Sequence, residues 1–436
     1  MRTVGSNPTL SVPFPASQSL RRIPATGAGI VPLQMETPPR SHAYFEDVFG
    51  EVEGPFAFVD LDAMWANADT MLARAGDKPI RVATKSIRSR GLIERILDRD
   101  ERFRGLMTFT LPETLWLTEQ GLDDMLLAYP TTDLEALRRL AVENAAMPEL
   151  APILTVDCVE HLDMIESVLG AQAGPIRLCL ELDASWQTMR GRMKVGAKRS
   201  PIRTAEQAVV LAEEIGRRGR LELVAIMSYE SQIAGVGDEV PGRPLRSRSI
   251  KWMQKKSVTE IVERRAEVVE QVRKVADIRI VNGGGTGSLE TTSKEAAVTE
   301  VAAGSGFFAP AQFDHYSRFS LTPAAAFAIP VVRRPGPGVV TALGGGYLSS
   351  GAAGPARLPV PWLPEGLSLD EEEGAGEAQT PLLGPPADDL KLGDNVYMRH
   401  SKAGELCERF DSLLLVEDGE IVDEVATYRG DGQTFL

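Results

Sequence analysis

Ile80-Arg81-Val82-Ala83-Thr84-Lys85 is a short apolar run that ends in polar residues, and far along the chain Ile280-Val281-Asn282-Gly283-Gly284-Gly285-Thr286-Gly287 is another, ending in a glycine-rich turn. Each reads as a buried strand with reactive or permissive residues at its exit. Outward from these two, the same unit recurs. Strand candidates are Phe56–Asp60, Ile80–Thr84, Gly105–Phe109, Met125–Ala128, Ile153–Val156, Ile176–Leu182, Leu221–Ser228 and Ile278–Asn282. Amphipathic stretches such as Leu134–Glu143, Ala205–Arg218 and Val258–Val275 fill gaps between them as helices. Eight apolar strands alternating with helices predict an α/β fold, a parallel (β/α)8 TIM barrel. A doubly wound open sheet uses the same alphabet, but the count of eight favours the barrel.

After Gly304 the pattern changes. Val331–Arg334, Gly338–Leu343, Asn395–Met398, Ser412–Val416 and Glu420–Tyr428 read as strands between Gly- and Pro-rich turns, with Glu417-Asp418-Gly419 as a hairpin turn. Gly351–Asp389, rich in Pro, Gly and acids, reads as loops over a β core, and Gly344-Gly345-Gly346 as turns. The expected organisation is a flexible tail over 1–44, a barrel over 45–305, and a β domain over 306–436 that closes the site.

The chain has 436 residues, 43% of them hydrophobic and 25% charged, which suits a folded protein of more than one domain. A net charge of −14 argues against nucleic acid as a partner, because phosphate backbones select basic surfaces. The scattered Cys158, Cys179 and Cys407 suggest reduced thiols in a cytoplasmic setting, and no apolar run is long enough to span a membrane. The first 40 residues contain no acid before Glu36. A disordered tail, or translation starting at Met35, accounts for them more simply than an organelle transit peptide does.

Barrel active sites lie where strands end. Lys85 follows the second expected strand, Tyr229 the seventh, and the Gly283–Gly287 turn the eighth. A lysine amine there can condense with the aldehyde of a cofactor, and bare glycine N–H groups can receive its phosphate. That combination points to pyridoxal 5'-phosphate (PLP) at the mouth of the barrel.

These residues also carry a resemblance. Arg81-Val82-Ala83-Thr84-Lys85, Gly121-Leu122-Asp123-Asp124-Met125-Leu126-Leu127-Ala128-Tyr129-Pro130, Tyr229-Glu230, Gly283-Gly284-Gly285-Thr286-Gly287, Leu392-Gly393-Asp394 and Tyr428-Arg429-Gly430 resemble the motifs of fold-type III PLP enzymes. The branch is that of D-threonine aldolase and D-serine dehydratase in the alanine racemase superfamily. The resemblance implies that Lys85 carries PLP, that Gly283, Gly284, Gly285, Thr286 and Gly287 hold its phosphate, and that Tyr229 packs on the cofactor or bonds its phosphate. It also implies a homodimer. Arg81, expected on the same strand face as Lys85, would orient the cofactor's phenolic oxygen or the lysine. An arginine after the sixth strand would face the pyridine nitrogen, and Arg199 or Lys194 can fill that place, with Arg199 favoured.

Two departures stand out. The family's metal-ligand pair, His-x-Asp or His-x-Cys, is matched by His400-Ser401-Lys402, and a lysine ammonium is a poor ligand. A divalent metal is therefore doubtful. Cys407 reaches His400 only if the loop folds back. We expect Lys402 to hold a substrate carboxylate or β-hydroxyl oxygen and His400 to transfer a proton. Gln232 stands where relatives often have histidine. His42 and His161 lie in polar surroundings without ligand-spaced partners, and the basic Arg243–Lys256 stretch reads as a solvated loop entering a helix. The expected activity is that of a PLP-dependent lyase acting on small D-β-hydroxy amino acids, by aldol cleavage or by dehydration. Amino-acid racemisation and a non-catalytic role in PLP homeostasis are the alternatives.

Overall fold

The structure, a computed structural model, describes residues 40–146, 151–170, 174–188 and 193–436. Eight parallel strands close a barrel: Ile80–Ala83, Phe103–Thr108, Met125–Leu127, Ile153–Val156, Ile176–Glu181, Leu221–Ser228, Ile280–Gly283 and Glu300–Ala303. The last pairs with the first, Val301 against Ile80 and Ala303 against Val82. Their apolar runs are buried on both faces because helices cover the outside and side chains fill the inside. The covering helices start where the sequence supplies caps. Thr110 accepts from the Glu113 N–H before Leu111–Glu119, and Thr204 forms a reciprocal capping box with Gln207 before Ala205–Arg217.

The barrel count is as expected, but one member differs. Phe56–Asp60, the first expected barrel strand, lies in the other sheet, antiparallel to Ala325–Gly336 and parallel to Ser412–Glu417. It is buried along its whole length, so its composition matches a barrel strand. Its rings instead join an aromatic cluster with Phe45, Phe49 and Tyr397. The place in the barrel is taken by Glu300–Ala303, too short and alanine-rich to stand out in the sequence. The helix expected from Val258 begins at Pro244 and runs to Val272, so the basic Arg243–Lys256 stretch is helical almost throughout.

The second sheet follows the reading of the C-terminal sequence. Ala325–Gly336, Val339–Leu343, Asn395–Arg399, Ser412–Glu417 and Glu420–Ala426 are its main strands. Gly351–Asp389 is not all loop, because it adds the short strands Val360–Leu363, Ser368–Leu369 and Gln379–Leu383. At the hairpin, Asp418 and Gly419 have φ of 52° and 82°, the left-handed pair that a two-residue turn between twisted strands requires. No helix among the described residues is long and apolar enough to cross a membrane.

This sheet's segments touch the turn that carries Lys85. The Cys407 thiol donates to the Ile87 carbonyl at 3.1 Å, and a Cβ on Gly404 would stand 2.4 Å from the Lys85 carbonyl oxygen. The Tyr428 hydroxyl donates to Glu113 at 2.9 Å, and burial pushes that carboxyl up to about 7.

Candidate active site

The C-terminal ends of the barrel strands surround a cavity of about 350 Å³, within the range of small-molecule sites. Lys85, Tyr129, Arg199, Tyr229, Gly285 and Lys402 are among its lining residues. Lys85 arrives there because its strand ends at Ala83 and the chain tightens into a single turn, Thr84–Ser86. The Lys85 amine donates to the Tyr129 hydroxyl at 3.0 Å. Arg199 lies 5.1 Å from the Tyr129 ring centre and 5.3 Å from that of Tyr229, and its guanidinium is 3.7 Å from Glu181. Burial pushes the Glu181 carboxyl up to about 7, with Arg199 opposing the shift. Lys402 makes no hydrogen bond or ion pair within the described residues, and burial followed by the charge of Arg357 lowers its pKa below the usual lysine value.

The two tyrosines differ. Burial pushes the Tyr229 phenol up to about 12. Burial acts on Tyr129 in the same direction, yet the adjacent Lys85 and Arg199 charges outweigh it and hold the phenol below its ordinary value.

The glycine turn needs its glycines for different reasons. Gly284 has φ of 83°, and a Cβ on Gly285 would lie 3.0 Å from both the Tyr229 ring and Ala234. Gly287 packs against the Ala234 carbonyl oxygen, where a Cβ would be at 2.2 Å. A buried network braces the turn. Glu230 accepts from the Gly284 N–H at 3.3 Å, from Ser288 at 2.9 Å and from Thr292, and it pairs with Arg265 at 2.9 Å. Arg265 also reaches Glu295 at 2.5 Å.

The family model described as "Alanine racemase, N-terminal domain" matches residues 59–311. The chain belongs to this family. No curated protein matches it. Among solved structures it is similar to D-threonine aldolase from Filomicrobium marinum, with 18% identity and a TM-score of 0.69 over 87% of this chain and 96% of that one. It is also similar to D-threo-3-hydroxyaspartate dehydratase from Delftia sp. HT23, with 18% identity and a TM-score of 0.66 over 87% and 99% of the two chains. Alanine racemase from Bacillus anthracis superposes less closely, with 15% identity and a TM-score of 0.56 over 87% and 99%.

In this family member the cavity gathers most, not all, of the residues expected from the sequence. Lys85, Arg199, Tyr229, Gly284, Gly285, Thr286 and Lys402 line it. Gly283 and Gly287 do not; Gly283 packs beside Thr292 and Arg265, and Gly287 against Ala234 and Tyr316. Arg81 is a correction. Strand alternation fails to carry its face to Lys85 across the tight turn, and its buried guanidinium is held by Glu300 at 2.6 Å and Asp124 at 3.0 Å. His400 is another. It is buried against Phe308 and is not among the lining residues, and burial lowers its pKa to about 4. Lys194 pairs with Asp183 at 3.0 Å instead of reaching the cavity. Gln232 donates to the Ala184 carbonyl at 2.7 Å and to Ser257 at 2.6 Å. His161 does have ligand-spaced partners: it lies 3.2 Å from Asp157, and Asp157, Cys158 and His161 hold their ligand atoms within 4.8 Å of one another. Two elements of this arrangement escape a reading of the sequence. Tyr129 sits inside a resembling motif without an expected role. Arg265 occupies a buried position in the stripe of Ile261, Val268 and Val272, and a lone cation on an apolar helix face is the available signal.

Proposed function

We propose that this protein is a PLP-dependent lyase for small D-configured β-hydroxy amino acids. Retro-aldol cleavage to glycine and an aldehyde is preferred to β-elimination giving a keto acid and ammonia. The observation that carries this reading is that Lys85 and Lys402 share one cavity with the Gly284–Thr286 turn. The lining residues match the parts of the cofactor: an amine for its aldehyde (Lys85), a basic group for its pyridine nitrogen (Arg199), an aromatic face (Tyr229), and a glycine turn for its phosphate. Bound there, PLP supplies a sink for the electron pair left when a bond at Cα breaks.

The chain's own residues do the rest. Lys85 would hold the cofactor and, when free of it, its amine would transfer protons at Cα. Lys402, without an ionic partner among the described residues, holds the substrate carboxylate or β-hydroxyl oxygen. Lysine in place of a metal ligand favours cleavage over dehydration, because expelling hydroxide calls for acid or metal assistance. The similarity to an aldolase and a dehydratase supports the reading.

The test begins with absorbance of bound cofactor. Wild-type protein should take up PLP with the spectral change of covalent capture, and Lys85→Ala should not. D-threonine, D-serine and D-phenylserine are then supplied with and without a chelator. Glycine and aldehyde released in both conditions is the expected result. Keto acid would mark a dehydratase, inversion at Cα a racemase, and free PLP exchange without turnover a cofactor carrier.

A further inference from the structure

We propose that Tyr129 takes the β-hydroxyl proton from the substrate and returns it, through Lys85, to Cα. This rests on the lyase reading and assigns the proton acceptor that reading leaves open. His400, the histidine expected to move protons, does not line the cavity, and neither does Gln232. Four lining side chains carry an amine or a phenol: Lys85, Lys402, Tyr129 and Tyr229. Lys85 is committed to the cofactor until substrate displaces it. Of the other three, only Tyr129 is hydrogen-bonded to the Lys85 amine, at 3.0 Å, so only there can an accepted proton pass directly onward.

In the cofactor-free protein the surroundings favour the phenolate. Lys85 and Arg199 lie 5.5 and 5.1 Å from the Tyr129 ring centre, and the charged or titratable groups facing it further out are Lys402, Tyr229 and, behind Arg199, Glu181. Cations outnumber the one carboxylate, which is itself paired to Arg199. Tyr229 has no such pair of cations and no hydrogen bond to Lys85, and burial pushes its phenol the other way.

The proton and electron count closes. The substrate O–H bond breaks, its proton goes to the Tyr129 oxygen, and its electron pair becomes the second bond of the departing aldehyde's carbonyl. The Cα–Cβ bond breaks and its pair stays at Cα, where PLP, if bound, would supply the sink for it. The proton on Tyr129 passes to the Lys85 amine and then to Cα. Glycine leaves carrying the proton that the hydroxyl gave up, and Tyr129 is again ionised.

Two measurements test this. In cofactor-free protein, tyrosinate absorbance is followed against pH. One phenol should ionise below the ordinary tyrosine value of about 10; that step should vanish in Tyr129→Phe and persist in Tyr229→Phe. In holoenzyme acting on D-phenylserine, Tyr129→Phe should keep its cofactor absorbance and lose about 10²- to 10⁴-fold in kcat. Its KM should stay within about twofold of wild type. The limb of the wild-type profile that rises with pH, as the phenol loses its proton, should disappear. Identical tyrosinate titrations in wild type and Tyr129→Phe, or cleavage surviving in the variant with its pH profile unchanged, would overturn this inference alone. Failure of the wild type to capture cofactor would overturn the lyase reading and take the inference with it.

Discussion

Charge is arranged differently in two parts of the cavity wall. Around Lys85 the cations face the space a ligand would fill: Lys85 bonds a phenol, Arg199 stands 3.7 Å from its carboxylate, and Lys402 has no ionic partner among the described residues. Behind the glycine turn the charges are enclosed. Arg265 is 0% exposed, Glu230 1% and Glu295 7%, and they bond to one another, to the turn, and to the neighbouring Ser228 and Thr292. A cation that is half satisfied and open to the cavity can act on a ligand. A cation paired with two buried carboxylates is shut away from any ligand, and removing it would leave their charge uncompensated. Tyr129 and Tyr229 show the same division: one phenol is held low by open cations, the other is pushed up by burial.

Three substitutions sharpen that contrast. The largest effect is expected for Arg265→Leu, which leaves Glu230 and Glu295 buried without their cation and should cost about 3–5 kcal/mol of stability, read as a lowered urea midpoint. An unchanged midpoint would show that the enclosed pair is not what fixes the turn. Next is Gly285→Ala, whose methyl would meet Tyr229 and Ala234 at 3.0 Å. Overpacking of about 1–3 kcal/mol, if borne by the bound state, weakens PLP affinity by about 5- to 150-fold in equilibrium titration, with the fold intact by circular dichroism. Wild-type affinity in this variant would mean the turn yields freely. The smallest is Lys402→Ala, which should raise KM for D-β-hydroxy amino acids by about tenfold, the equivalent of about 1.4 kcal/mol, and leave the urea midpoint alone. Equal KM values for every such substrate would remove Lys402 as an anion anchor.

Much of the fold was legible because its signals are local. An apolar run flanked by helical stripes, a lysine or a triple glycine at a strand exit, and Asp418-Gly419 between two apolar runs each restrict the backbone within a few residues. Those readings carried over into the barrel, the turn and the hairpin. The site was less legible. Arg81 stands between Ile80 and Val82 in a strand that is plain from its neighbours. Whether its side chain met a cofactor or a carboxylate depended on Glu300, far along the chain. Tyr129 could be seen in its motif, but not its contact with Lys85.

What the sequence determined by itself was the alphabet of the protein: most of the segments that form strands and helices, and where polar and glycine-rich residues stand at strand exits. What only the tertiary structure decided was pairing. Phe58 lies opposite Ala326 and Leu414 rather than in the barrel, His400 turns into the core while Lys402 lines the cavity, and Tyr129 meets Lys85. The reason is physical. Backbone periodicity is set by neighbours in the chain, whereas burial and charge are settled by whichever distant segments the closed barrel and its covering sheet bring together.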